Sequence, residues 1–359
     1  MTKIVWNGTS LAQERNEGYK NAEDNIFNHL ASFEFEIEKT CLIPSDVQIL
    51  TTSGIGIQYQ SQGINVDCDI LINNRLPNDY SYCNGYNIGF SYWETNALPK
   101  EWVEHMNKMD EIWTTSRWAK NVFIDSGVEV PVFNFKLGVD KNLYSPSLKK
   151  YPHRPFTFLS IGSPSIRKNS QIAVNAFLKL FGERDDVHLL YKSVDSPDAR
   201  IFKNGEMKSV YNQPNITVVD VDLPANELSL IYDQVDCLIY PTSGEGWGLL
   251  PYQSLAKAIP TICTNATACT EYAELSVALD YKMGTTNMNG IYEGHGQWAE
   301  PNFQDLCDKM LYVISSYEEV SAKTYQNVVK VYDEMIWESA VKDYGNRICQ
   351  ILKEQKVKL

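Results

Sequence analysis

The residues best suited by type and spacing to do chemistry lie in Ser243-Gly244-Glu245-Gly246-Trp247-Gly248-Leu249-Leu250-Pro251-Tyr252-Gln253. The apolar run Cys237-Leu238-Ile239-Tyr240 reads as a buried strand leading into this glycine-rich turn. The turn opens into a helix with Pro251 in its first turn, where a missing N–H costs nothing. A glycine-rich turn at a helix N-terminus presents unpaired backbone N–H groups and the positive end of the helix dipole, so it suits a phosphate. Glu245 sits too close to that anion site to be the phosphate ligand itself. It is well placed to accept hydrogen bonds from sugar hydroxyls on the same ligand. The chemistry is that of a sugar joined to a phosphate.

A second candidate is Gly162-Ser163-Pro164-Ser165-Ile166-Arg167-Lys168-Asn169, between an apolar strand and the next helix. Two adjacent cations at a helix N-terminus oppose the helix dipole, so their placement suggests a compensating anion. Tyr92-Trp93-Glu94 follows another apolar strand, and an aromatic ring beside a carboxylate would suit stacking on, and hydrogen bonding to, an acceptor. Asp67-Cys68-Asp69 has the form of a metal-holding Asp-x-Asp, but it leads directly into an apolar strand and reads as a charged strand start. The five histidines fall in no triad or metal spacing, and the eight cysteines are scattered singly, which argues against a zinc site or disulfide framework.

The elements that must position these loops alternate between strand and helix. In the first half, strands are predicted at Lys3–Trp6, Val47–Leu50, Asp69–Ile72, Tyr86–Phe90, Glu111–Trp113 and Val132–Phe133. Helices are predicted from Tyr19 to about Phe33 and from Pro99 to about Met109. After a polar, proline-bearing stretch from Ser145 to Pro155, the pattern restarts at Phe156–Ile161. Strands are predicted at 187–191, 216–219, 237–240 and 260–263, with helix from about Phe303 to the end. Alternating order implies parallel sheets covered on both faces, with ligands at the strand carboxyl ends. At 359 residues, two domains are expected, 1–145 and 155–335, followed by a last segment, 336–359.

The Glu245 loop resembles the Glu-x7-Glu signature of retaining GT-B glycosyltransferases (group 1, family 4-like), usually Glu-Gly-Phe-Gly-Leu-Pro followed by a second glutamate. Trp247 stands where Phe is usual, and Gln253 replaces the second glutamate. The other loop resembles the family's Gly-Arg and Lys-Gly pairs, whose basic residues neutralise the leaving diphosphate. Lys168 falls on the lysine position, Ser163 on the arginine position, and Asn169 on the glycine, with Arg167 a neighbouring source of charge. Gly138-Val139-Asp140 with Tyr144-Ser145-Pro146 resembles a domain boundary of the family, and Gly18-Tyr19 its N-domain glycine loop. Glu271 resembles a glutamate normally preceded by paired glycines, here Thr267 and Ala268. Trp337-Glu338 lies where the family's last helix crosses back, so the resemblance implies that 336–359 packs on the first domain.

The resemblance implies an α/β GT-B fold, two Rossmann-like doubly wound domains facing each other across a cleft. It implies a metal-independent hexosyltransferase that acts with retention and needs no cofactor beyond its donor substrate, a UDP- or GDP-hexose. Glu245, Lys168 and Arg167 would be catalytic; Ser163, Gly246, Trp247, Gly248, Leu249, Gln253 and Gly18 would bind donor; Trp93 and Glu94 would meet the acceptor. The acceptor would be a sugar, a lipid-linked glycan or a modified nucleic-acid base. A sugar-nucleotide-binding protein without turnover would also explain Gln253 and Ser163, and a GT-B epimerase is the other enzyme class. The net charge of −13 disfavours broad nucleic-acid or anionic-membrane binding. No run is apolar enough to span a bilayer and the N-terminus has no secretion signal, so a cytoplasmic location is expected.

Overall fold

A computed structural model describes residues 3–8, 17–42, 47–51, 54–56, 65–194, 200–203, 206–209, 213–286 and 290–358. The chain divides into two compact units, one of Met1–Trp93, Ala97–Gly138 and Glu334–Leu359, the other of Glu94–Asn96 and Val139–Asp333.

In the first unit, β1 (Lys3–Asn7) leads to α1 (Glu17–Leu30), β2 (Glu36–Leu42), β3 (Val47–Thr51) and β4 (Gly54–Gly56). A parallel pair of two-residue strands, β5 (Asn65–Val66) and β7 (Tyr82–Cys83), flanks β6 (Ile70–Asn74). Next come β8 (Tyr86–Phe90), α2 (Lys100–Met106), β9 (Glu111–Thr114), α3 (Arg117–Asp125) and β10 (Val132–Asn134). The sheet order is β10-β9-β8-β6-β1-β2-β3-β4.

This sheet departs from the all-parallel expectation at one edge, where β2, β3 and β4 pair antiparallel. Only residues 43–46 separate β2 from β3, and a parallel crossover needs a dozen residues or more. Sequence reading missed β2 because Glu36, Glu38 and Lys39 break its apolar pattern. Lys39 is nevertheless buried, 3.2 Å from the buried carboxylate of Glu23 on α1. It also missed α3, whose Ser116 cap accepts the Ala119 N–H at 3.1 Å.

The second unit holds β11 (Phe156–Ile161), α4 (Ser170–Phe181), β12 (Val187–Lys192), the antiparallel pair β13 (Arg200–Lys203) and β14 (Glu206–Ser209), and β15 (Ile216–Val219). It continues with α5 (Ala225–Asp233), β16 (Cys237–Tyr240), α6 (Leu249–Ala256), β17 (Thr261–Thr264) and β18 (Val277–Leu279). An antiparallel hairpin of β19 (Tyr281–Thr285) and β20 (Gln297–Pro301) precedes α7 (Phe303–Ser315) and α8 (Tyr317–Met335).

The second unit's main sheet is wholly parallel, in the order β15-β12-β11-β16-β17-β18. All residues of β11, β16 and β17 are buried, as expected of strands covered on both faces. Helix α4 adds Ala173, Val174, Ala176, Phe177 and Phe181 to the core, where they meet Leu189, Ile239 and Leu306. The last helix, α9 (Trp337–Lys358), belongs to the first unit. There Tyr344 packs against Trp113 and Phe135 at ring distances of 5.7 and 4.8 Å.

Candidate functional site

Strand order in the second unit reverses direction between β11 and β16, which are direct neighbours. The loops leaving their carboxyl ends diverge, and that divergence is where open α/β sheets hold ligands. The β11 loop carries Arg167 and Lys168; the β16 loop carries Glu245. The Ser243 N–H donates to the Arg167 carbonyl at 2.7 Å, and the Asn169 amide donates to the Ser243 hydroxyl at 2.7 Å. Asn169 makes this bond from the left-handed region, with φ 53. Asparagine tolerates that region better than most residues, so it can hold a position at which glycine would be the unstrained choice.

Stitched together, the loops bring three charges into one largely buried cluster, and Glu94 adds a fourth. Lys168 Nζ lies 2.5 Å from Glu245 Oε1 and donates to the Tyr240 hydroxyl at 2.7 Å. Tyr240 and Thr242 also donate to Glu245 Oε1, at 2.8 and 3.1 Å. Arg167 Nη1 lies 3.3 Å from Glu245 Oε2, donates to the Gly244 carbonyl at 2.5 Å, and stands 4.0 Å from Glu94 Oε1. Burial alone would raise the Glu245 pKa, but Lys168 and Arg167 outweigh it and bring the carboxyl down to about 2. Burial pulls Lys168 below the usual ammonium value, opposed by Glu245, and pushes the Tyr240 phenol well up. Glu245 is therefore a carboxylate that organises two cations.

Beside the cluster, Gly248 caps α6 at φ 87 without a side-chain hydrogen bond, leaving the first-turn N–H groups without that partner. A Cβ on Gly248 would come within 2.4 Å of the Tyr272 hydroxyl, so glycine is required for space as well as for backbone. Trp247 packs edge-on against Tyr252 at 5.1 Å, and its buried indole N–H has no hydrogen-bond partner among the described residues. Gln253 is buried on α6, its Oε1 3.5 Å from the Tyr232 hydroxyl.

The structure thus brings together Glu245, Lys168 and Arg167, with Gly246, Trp247, Gly248 and Leu249 following directly at the helix start. Ser163 is exposed and faces Ser165, so the only guanidinium at the cluster is that of Arg167 among the described residues. Gly18 lies in the first turn of α1, in the first unit. Trp93 is fully buried, its indole donating to the Ala97 carbonyl at 2.9 Å and its ring 4.7 Å from that of Trp102. At that depth the Trp93 ring presents no face to solvent.

Glu94 is counted with the second unit, where it accepts from the Tyr292 hydroxyl at 2.8 Å, on the turn of the β19–β20 hairpin. Its carboxylate therefore serves Arg167 and Tyr292. Sequence reading missed Tyr240, Thr242, Thr267 and Tyr292. Only Thr267 left a trace, as a departure from paired glycines. Asp69 accepts the Lys3 backbone N–H at 2.6 Å, as a strand-start carboxylate would. Among the described residues no group of three or more His, Cys, Asp or Glu side chains could hold a metal, and no helix is long and apolar enough to cross a membrane.

No protein-family model matches the chain. It is 23% identical over 264 residues to an uncharacterized protein of Sulfolobus islandicus rod-shaped virus 1, covering 67% of this chain and 69% of that one. Among solved structures, a glycosyltransferase from Rickettsia africae superposes with a TM-score of 0.71 at 13% identity, covering 98% of this chain and 99% of that one. Sucrose-phosphate synthase from Thermosynechococcus elongatus gives 0.67 at 11% identity, over 99% and 100% of the two chains. HepE of Anabaena, solved with UDP and glucose, gives 0.62 at 10% identity, again over 99% and 100%. Two units of Rossmann-like build are the architecture shared with these structures, and the fold of the chain is GT-B.

Proposed function

We propose that the chain is a retaining glycosyltransferase that moves a hexose from a nucleotide-diphosphate sugar to a hydroxyl acceptor without a metal. The observation that carries the reading is the Lys168–Glu245–Arg167 cluster at the β11/β16 reversal, beside the N-terminus of α6. The second unit would take the donor and the first the acceptor. UDP and glucose bound in the similarly folded HepE support a UDP-hexose.

Cleaving the anomeric C–O bond builds positive charge on the sugar ring and negative charge on the departing diphosphate. An ammonium has three N–H bonds; Lys168 spends two on Glu245 and Tyr240 and has one for a phosphate oxygen. Arg167 and the first N–H groups of α6 would add further donors. Preorganised donors of this kind are each worth roughly 3–4 kcal/mol in the transition state. Glu245 Oε1 already accepts three hydrogen bonds, so a sugar hydroxyl would bind Oε2, which meets only Arg167 among the described residues. Same-face attack, with the leaving phosphate taking the acceptor's proton, would retain configuration without a dedicated base. Gln253 would meet the ribose with an amide in place of a carboxylate, which weakens the bond without removing it.

A thermal-shift panel of UDP, GDP, ADP and their hexose conjugates tests the reading, followed by product NMR of the anomeric configuration. One nucleotide family should stabilise the chain, by about 2.7 kcal/mol at a hundredfold excess over Kd. Lys168→Ala should weaken that stabilisation and lower turnover about 100-fold or more. No shift with any nucleotide would sink the donor-site reading. Gln253 also supports binding without turnover, and that reading would prevail if a stabilising sugar nucleotide stayed intact with every acceptor tried.

A further inference from the structure

Thr267 opens the helical segment Thr267–Leu275 after β17 and is buried, with φ 54. A β-branched residue in the left-handed region is a genuine outlier, since glycine reaches it without the clash of a Cβ. The hydrogen bonds around it supply a reason. Thr267 Oγ1 accepts the backbone N–H of Glu245 at 3.0 Å, and the next residue, Ala268, donates its N–H to the Glu245 carbonyl at 3.2 Å. Both peptide groups of Glu245 are therefore held by one two-residue segment. Thr270 holds that segment in turn, its hydroxyl donating to the Thr267 carbonyl at 2.7 Å. Glycine at 267 would remove the strain and, with it, the acceptor for the Glu245 N–H.

We infer that Thr267 is a positioning residue for glycosyl transfer: its strained left-handed backbone and its hydroxyl clamp the main chain of Glu245, so that the carboxylate keeps its aim on Lys168, Arg167 and the sugar. This rests on the transferase reading. The clamp acts on orientation, while diphosphate binding draws mainly on Lys168, Arg167 and the start of α6. Its loss should therefore appear in turnover more than in nucleotide affinity.

The test compares Thr267→Val, Thr267→Gly and Thr267→Ser in the full chain, measuring melting temperature, UDP affinity by calorimetry, and steady-state turnover of the hexose donor that the wild type uses. Valine keeps the shape and the strain but strands the Glu245 N–H; kcat should fall about 10- to 100-fold with UDP affinity within about threefold of wild type. Glycine should melt above valine yet lose a similar share of kcat. Serine, which restores the acceptor, should recover most of it. The proposal is overturned if valine and glycine keep wild-type kcat, if kcat follows melting temperature across the series, or if serine is as slow as valine. A wild type that neither binds UDP nor turns over any UDP- or GDP-hexose overturns the transferase reading itself, an outcome distinct from unchanged variants of an active enzyme.

Discussion

Glu245 carries its charge because two cations offset its burial, and that balance has a measurable pH signature. Its folded pKa, about 2, lies below the ordinary carboxylate value of 4.5. A depressed carboxylate stabilises the fold above the unfolded pKa and loses that contribution as pH falls through the folded one. Melting temperature should therefore drop between about pH 4.5 and pH 2, and Glu245→Gln should flatten that part of the profile whatever its effect at neutral pH. An equally steep profile in the variant would show that other carboxylates govern acid unfolding. At this scale the charged residues were legible in the sequence, because Arg167, Lys168 and Glu245 sit in loops flanked by apolar strands. Their partners were not. Glu94 and Tyr292 come from segments distant in sequence, and a β-branched Thr267 gives no sign that its backbone is left-handed.

Two elements make predictions of their own. Helix α6 is followed by Ala258, held in the left-handed region at φ 59. Glycine adopts that conformation without the Cβ penalty, so Ala258→Gly should stabilise the chain by about 0.5–1 kcal/mol in chemical denaturation. A loss of stability would mean that the buried methyl group matters more than the backbone.

Helix α9 is fastened to the first sheet by Arg347, which meets the fully buried carboxylate of Glu111 on β9 at 3.1 Å. Tyr86 and Trp113 also donate to Glu111, at 2.9 and 2.6 Å. Arg347→Met would leave a buried charge without its counter-ion and should cost about 3 kcal/mol. Adding Glu111→Gln should recover part of that loss, and a double variant less stable than the single would contradict the account. Strands β11, β16 and β17 were legible because burial on both faces makes continuous apolar runs. Strand β2 was hidden because it pairs a buried lysine with a glutamate from another element, and no periodicity reports such a pair.

For the whole molecule, each unit has its own sheet and its own buried residues. Unfolding need not be all-or-none in such a chain. A nucleotide that binds the second unit should raise the calorimetric transition of that unit selectively, and Lys168→Ala should diminish the rise. An equal upward shift of every transition would mean that the units unfold together. The two-part organisation was legible because the strand–helix alternation stops and restarts around the proline-bearing stretch before Phe156. The edge of the first sheet was not, since chain reversal there depends on a four-residue connection.

The return of α9 has a consequence for biosynthesis. Almost all of the second unit is one stretch, Val139–Asp333, whereas the first unit is completed by Glu334–Leu359. Domains fold as units while the chain emerges at about 5–20 residues per second. The nascent first unit must therefore wait through the synthesis of the entire second one before Tyr344 can cover Trp113 and Phe135. For roughly 10–40 seconds those rings are a target for chaperones, and the second unit can reach its native packing first.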